Sequence, residues 1–114
     1  MPEEKTTLSA DEQGRIKRFK FALSLARRAG KALCGTNIVC DGIRDRGVEF
    51  VIISKTASEN SKKRVSNCAL YYNTKILYTE LTPEELGAAV GKASLACLGV
   101  TDKNLAFNVE RNLY

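Results

Sequence analysis

The stretch Gly30-Lys31-Ala32-Leu33-Cys34-Gly35-Thr36-Asn37 decides how the chain is read. It gives a helix end at Gly30, a short strand over Lys31–Cys34, and a tight turn at Gly35 that opens a second helix. Gly35 suits the turn because a residue without Cβ takes positive φ or lets a ligand approach the backbone. Thr36 or Asn37 is expected to cap the next helix by accepting from one of its orphan N–H groups. A helix start also offers free N–H donors and the positive end of the macrodipole, which attract phosphate. Basic residues flank the turn: Arg27, Arg28 and Lys31 before it, Arg44 and Arg46 after it. An ordinary strand-to-helix connection has the same look, so the rest of the chain must weigh in.

Working outward, helical spacing of Ile16, Phe19, Leu23 and Ala26 predicts a first helix, its apolar stripe widened by Phe21, Ala22 and Leu25. The second helix runs from Thr36 to Arg46 and stops at Gly47. Val48–Ile53 is a nearly continuous β-branched apolar run, as a strand covered on both faces requires. Ser58 caps a third helix with Val65, Cys68, Ala69 and Tyr72 on its apolar stripe, and Lys75–Tyr78 is a third strand. Thr82-Pro83-Glu84-Glu85 combines a cap, a Pro at the first helical position and a Glu three residues after the cap. That fourth helix buries Leu86, Ala89 and Val90 and stops at Gly91. Ser94–Val100 is a fourth strand, and Thr101 or Asp102 opens a last helix through Leu105, Ala106 and Val109. Helices and strands alternate throughout, which argues for an α/β protein, a three-layer α/β/α sandwich. A mixed central sheet of four strands is expected. Residues 1–14 are expected as a flexible tail and residues 15–114 as a single domain.

The chain has 114 residues and a formal net charge of +5. Arg15–Arg64 holds thirteen Lys/Arg against four Asp/Glu, a net of +9. Such a block suggests a polyanionic partner. The chain contains no His, the commonest general acid/base and metal ligand. Cys34, Cys40, Cys68 and Cys97 form no C-x-x-C pair and are expected to be reduced, unliganded and mostly buried. Ser58 and Ser61 have no His to activate them, and no phosphate-binding glycine loop follows a strand. No enzyme activity, no metal and no cofactor are expected. Nor is a stacking platform for single strands suggested: aromatics are few, and Tyr71 and Tyr72 fall in a helix. Without an apolar run of membrane length or a signal peptide, a cytoplasmic location is expected.

The order of elements, together with Ser24-Leu25-Ala26-Arg27-Arg28-Ala29-Gly30-Lys31, Gly35-Thr36-Asn37, Ser58-Glu59-Asn60 and Leu86-Gly87-Ala88-Ala89-Val90-Gly91-Lys92, resembles the ribosomal protein L7Ae family. The nearer match is its small bacterial YlxQ-like branch, where Val100-Thr101-Asp102-Lys103 is also familiar. The resemblance covers roughly Arg15 to Phe107 and implies an RNA-binding sandwich, in the best-known members a reader of kink-turns. It implies that Gly35, Thr36 and Asn37 meet the RNA where sheared G·A pairs create the kink. It also implies that the loop Gly91-Lys92-Ala93-Ser94-Leu95 packs over flipped-out bases. Two positions depart from the family run Gly-x-Asn-Glu-x-x-Lys: Ile38 stands where a base-reading Glu is usual, and Asp41 where a Lys is usual. The backbone-positioning half of the site is kept and the base-reading half is damaged. Lys31, Gly35, Thr36, Asn37, Lys92, Ala93 and Ser94 are the expected RNA-binding residues. The expected partners are structured RNA, ribosomal or otherwise non-coding, and ribosome components. No membrane partner is expected, and the chain is expected to be monomeric. Ile38 leaves a second possibility open, since an exposed Ile suits an apolar protein contact; the chain would then be a ribosome-associated interaction module. If Ile38 turns into the core, it does not separate the two.

Overall fold

The structure is a computed structural model that describes residues 10–45 and 47–113. Five helices and four strands alternate along these residues. They are α1 (Ala10–Arg28), β1 (Ala32–Cys34), α2 (Thr36–Arg44), β2 (Phe50–Ser54), α3 (Glu59–Tyr71), β3 (Lys75–Thr79), α4 (Pro83–Ala89), β4 (Cys97–Val100) and α5 (Lys103–Leu113). The strands form one sheet in the order β1-β4-β2-β3. β4 runs antiparallel to both β1 and β2, and β2 runs parallel to β3, so the sheet is mixed as expected.

Alternation of side chains along the strands divides the core into two layers. Phe50, Ile52, Leu98 and Val100 face α1, α4 and α5, where they meet Phe19, Leu23, Leu86 and Val109. Val51, Ile53 and Cys97 face α2 and α3, where they meet Val39, Ile43, Val65 and Ala69. All five residues of β2 are buried, as its unbroken apolar run demands.

Several ends follow the expected chemistry. Ser58 Oγ accepts from Ser61 N at 3.2 Å. Thr82 and Glu85 form both bonds of a capping box at the start of α4. Asp102 Oδ1 accepts from Leu105 N at 3.0 Å and opens α5.

Other expectations are corrected. α1 begins at Ala10, with Asp11 and Glu12 in its first turn; residues 1–9 lie outside the described residues. Acidic residues suit a helix start, which is why the helix extends that far. β2 runs Phe50–Ser54, starting two residues and ending one residue later than the expected Val48–Ile53, because pairing with β4 begins at Phe50↔Val100. β4 starts at Cys97 rather than Ser94, because the preceding backbone is spent on α4: Lys92 N donates to Gly87 O at 2.8 Å and Leu95 N to Pro83 O at 2.9 Å. α2 ends at Arg44 with Asp45 as its cap, and the expected last residue, Arg46, lies outside the described residues. Phe21 is 59% exposed, so it belongs to the outer side of α1 and not to the buried stripe.

Candidate nucleic-acid interface

Strand register brings two helix starts together. Cys34 lies opposite Leu98 and Ile53 opposite Cys97, so β1 and β2 end at the same edge of the sheet. α2 leaves β1 at that edge, and α3 follows β2 from it. Between the two helices lies an open cleft of about 350 Å³, lined by Gly35, Thr36, Asn37 and Ile38 of one and by Asn60, Ser61 and Arg64 of the other.

The turn works through its backbone. Gly35, not Thr36 or Asn37, is the N-cap of α2, and no side chain caps the helix. Its φ of 109° and ψ of 148° fall in a region that only glycine visits freely. The first-turn N–H groups therefore have neither an intrahelical acceptor nor a side-chain cap. Thr36 is half-buried and also lines the cleft; burial pushes the Cys97 thiol on β4 up to about 12, and the Thr36 hydroxyl opposes the rise. Asn37 is exposed. Ile38 is 54% exposed, so it is a surface residue of the cleft and not part of the core. Asp41 is held by Arg44 at 2.7 Å, both side chains largely in solvent. Arg64 has no carboxylate partner among the described residues, and its charge reaches inward. Burial raises the Cys40 thiol pKa, assisted by the neighbouring Cys68, and the guanidinium groups of Arg64 and Arg44 oppose the rise.

The expected site residues do not all converge. Lys92 lies near the turn, because it and Arg27 both oppose the upward shift that burial imposes on Cys34, the residue before Gly35. Ala93 and Ser94 are exposed on the same loop, which rests on Gly87. Lys31 stands at the far end of β1, about 13 Å from Gly35 at the rise of an extended strand. Its carbonyl accepts from Thr101 N at 2.9 Å. Asn60 and Arg64 are lining residues that were not among the expected site residues. Their signal was a cluster of cations in the first turns of α3, where the helix dipole disfavours positive charge. Cys40 and Cys97 are buried, and Cys34 and Cys68 are half-buried. Among the described residues, no helix is long and apolar enough to cross a membrane.

The domain is thus an α/β/α sandwich with a β1-β4-β2-β3 mixed sheet and a second helix that opens without a side-chain cap. The chain belongs to the Ribosomal protein L7Ae/L30e/S12e/Gadd45 family, whose profile matches residues 17–108. Two curated bacterial relatives agree in their description. The RNA-binding protein YlxQ of Bacillus subtilis (strain 168) is 33% identical over 85 residues, which is 74% of this chain and 83% of that protein. The RNA-binding protein YlxQ of Enterococcus faecium is 30% identical over 95 residues, 82% of this chain and 89% of that one. A solved structure of a protein of unknown function from Bacillus halodurans C is similar at a TM-score of 0.77 and 25% identity, covering 84% of this chain and 96% of that chain.

Proposed function

We propose that the chain is a cytoplasmic RNA-binding protein that holds a folded, non-coding RNA against the cleft between α2 and α3. The observation that carries this reading is the N-terminus of α2: Gly35 caps it without a side chain, and it opens into a cleft with Asn37, Asn60 and Arg64 on its walls. Backbone N–H groups and a guanidinium take phosphate oxygens, and Lys92 adds a cation from the α4–β4 loop. The two relatives described as RNA-binding support the same partner class.

The contact recognises shape and backbone more than base edges. Ile38 has no hydrogen-bonding side chain, and the Asp41 carboxylate is taken up by Arg44. Discrimination of a kink-turn from a plain duplex is therefore weak. The exposure of Ile38 favours one second reading: a ribosome-associated module that docks protein on this surface and no longer reads kink-turns.

Titration of a structured RNA at several salt concentrations tests the reading. Each phosphate contact contributes roughly 0.7–0.9 to the slope of log K against log salt. Arg64→Gln and Lys92→Gln should each lower the slope by about that amount. A salt-independent affinity, or one unchanged by both substitutions, refutes this site.

A further inference from the structure

The opposite helical layer carries a second feature that the cleft does not use. α1 and α5 pack side by side, and between them on the solvent side runs a shallow groove of about 450 Å³ lined by Lys17, Arg18, Phe21, Leu25, Asn108 and Asn112. Phe21 is 59% exposed there. Lys17 precedes it by one helical turn, and Arg28 follows seven residues later on the same stripe. Arg18 Nε reaches Asn112 Oδ1 at 3.4 Å, which ties the two helices across the groove.

The charge of this surface is one-signed. Arg15–Arg28 contains six Lys/Arg and no Asp or Glu. The one acid of α5, Glu110, is engaged by Lys75 at 2.5 Å on β3. Lys17 and Arg28 have no carboxylate partner among the described residues. An apolar ring flanked by unpaired cations and by asparagine amides matches a nucleotide strand, whose phosphates take the cations and whose bases stack on an aromatic face. From Arg28 to Lys17 the stripe spans eleven residues, about 16 Å of helix.

We infer that the outer face of α1 and α5 is a second RNA-contact surface. It takes a single-stranded segment that flanks the folded RNA, with phosphates on Lys17, Arg18 and Arg28 and one base stacked on Phe21. The inference rests on the RNA-binding reading only for how the strand arrives; the groove can be probed by itself.

The experiment follows backbone amide signals of ¹⁵N-labelled protein during titration with two RNAs: an oligouridylate of about 12 nucleotides, within the span such surfaces cover, and a folded hairpin carrying the same tail. With the oligouridylate, signals of Lys17, Phe21 and Asn108 should shift. Phe21→Ala should weaken its binding about fivefold or more. Lys17→Gln with Arg28→Gln should lower the salt slope by about 1.4. Thermal melting checks that the variants remain folded, and the footprint on the unaltered protein needs no variant. Shifts confined to Gly35–Ile38 and Arg64 overturn this inference and leave the cleft reading standing. Shifts confined to α1 and α5 with the oligouridylate support it, and shifts confined to them with the folded hairpin as well overturn the cleft reading. If neither RNA perturbs either surface, both fall.

Discussion

Gly87→Ala is a small change that the structure predicts to be costly. Gly87 is helical, and its position faces the α4–β4 loop. A Cβ there would lie 2.9 Å from Lys92 O, 2.9 Å from Ser94 Cα and 2.9 Å from Ser94 N. All three are backbone atoms, so no rotamer change relieves the clash, and the loop itself must move. Overpacking of this kind costs about 1–3 kcal/mol. The bond from Lys92 N to Gly87 O, 2.8 Å long, is lost or stretched, which adds about 1 kcal/mol. Alanine returns about 1 kcal/mol through its better helix propensity. The net is a loss of about 1–3 kcal/mol, which in a domain of this size lowers Tm by roughly 4–15 °C. Denaturant unfolding measures the first part. The second part is functional: the moved loop carries Lys92 away from the turn, so RNA affinity falls as well. Lys92→Ala serves as the comparison, since it removes the cation and leaves the loop in place. It should lower affinity with little change in Tm. A Gly87→Ala protein as stable as the parent would show that the loop does not lie on α4 as described.

Gly35→Ala poses the opposite problem. Nothing lies within 4 Å of the added Cβ, so its whole cost is the positive φ, about 1–3 kcal/mol by denaturant unfolding; a neutral substitution would contradict that backbone conformation. Cys97 gives a pH test. Its folded pKa, about 12, is raised above the ordinary thiol value of 9.0, so its contribution to stability is complete below about pH 9 and is lost as pH rises toward 12. Stability of the parent should therefore fall more steeply than that of Cys97→Val above pH 9, and identical slopes would refute the assignment. Leu86, fully buried between α4 and the sheet, should cost about 2–5 kcal/mol when changed to Ala, read by the same unfolding assay.

Much of the fold was legible because its signals are local. The capping box at Thr82 and the Ser58 cap each act within a few residues and appear where the pattern put them, and the β-branched run ending at Ile53 marks β2 although the strand's ends differ. Element ends were less legible, because they depend on partners far along the chain. β4 starts late since Leu95 bonds to Pro83, a contact no local pattern announces. Phe21 was misassigned because an aromatic at helical spacing looks the same whether its side of the helix is covered or bare. At the site, the importance of Gly35 followed from its residue type, but the cap assigned to Thr36 or Asn37 did not. The Thr36 hydroxyl acts on the Cys97 thiol, sixty-one residues away in sequence, and that proximity is invisible from the turn. Asn60 and Arg64 reach the cleft through strand register, which brings the ends of β1 and β2 level.

The central claim is that a structured RNA sits on the turn at Gly35 and is read there without the family's usual base contact. Binding titrations with a kink-turn RNA, and with the same RNA whose G·A pairs are replaced by Watson–Crick pairs, test it most directly. The parent protein should bind both with similar, salt-dependent affinity. Ile38→Glu with Asp41→Lys restores a base-edge acceptor and a phosphate-binding cation on the exposed side of α2. Since a good bidentate base contact discriminates by about 1–3 kcal/mol, the double variant should prefer the kink-turn by about tenfold, and Asn37→Ala in that background should remove part of the gain. A parent that already discriminates strongly, or a folded double variant that gains nothing, would contradict the account.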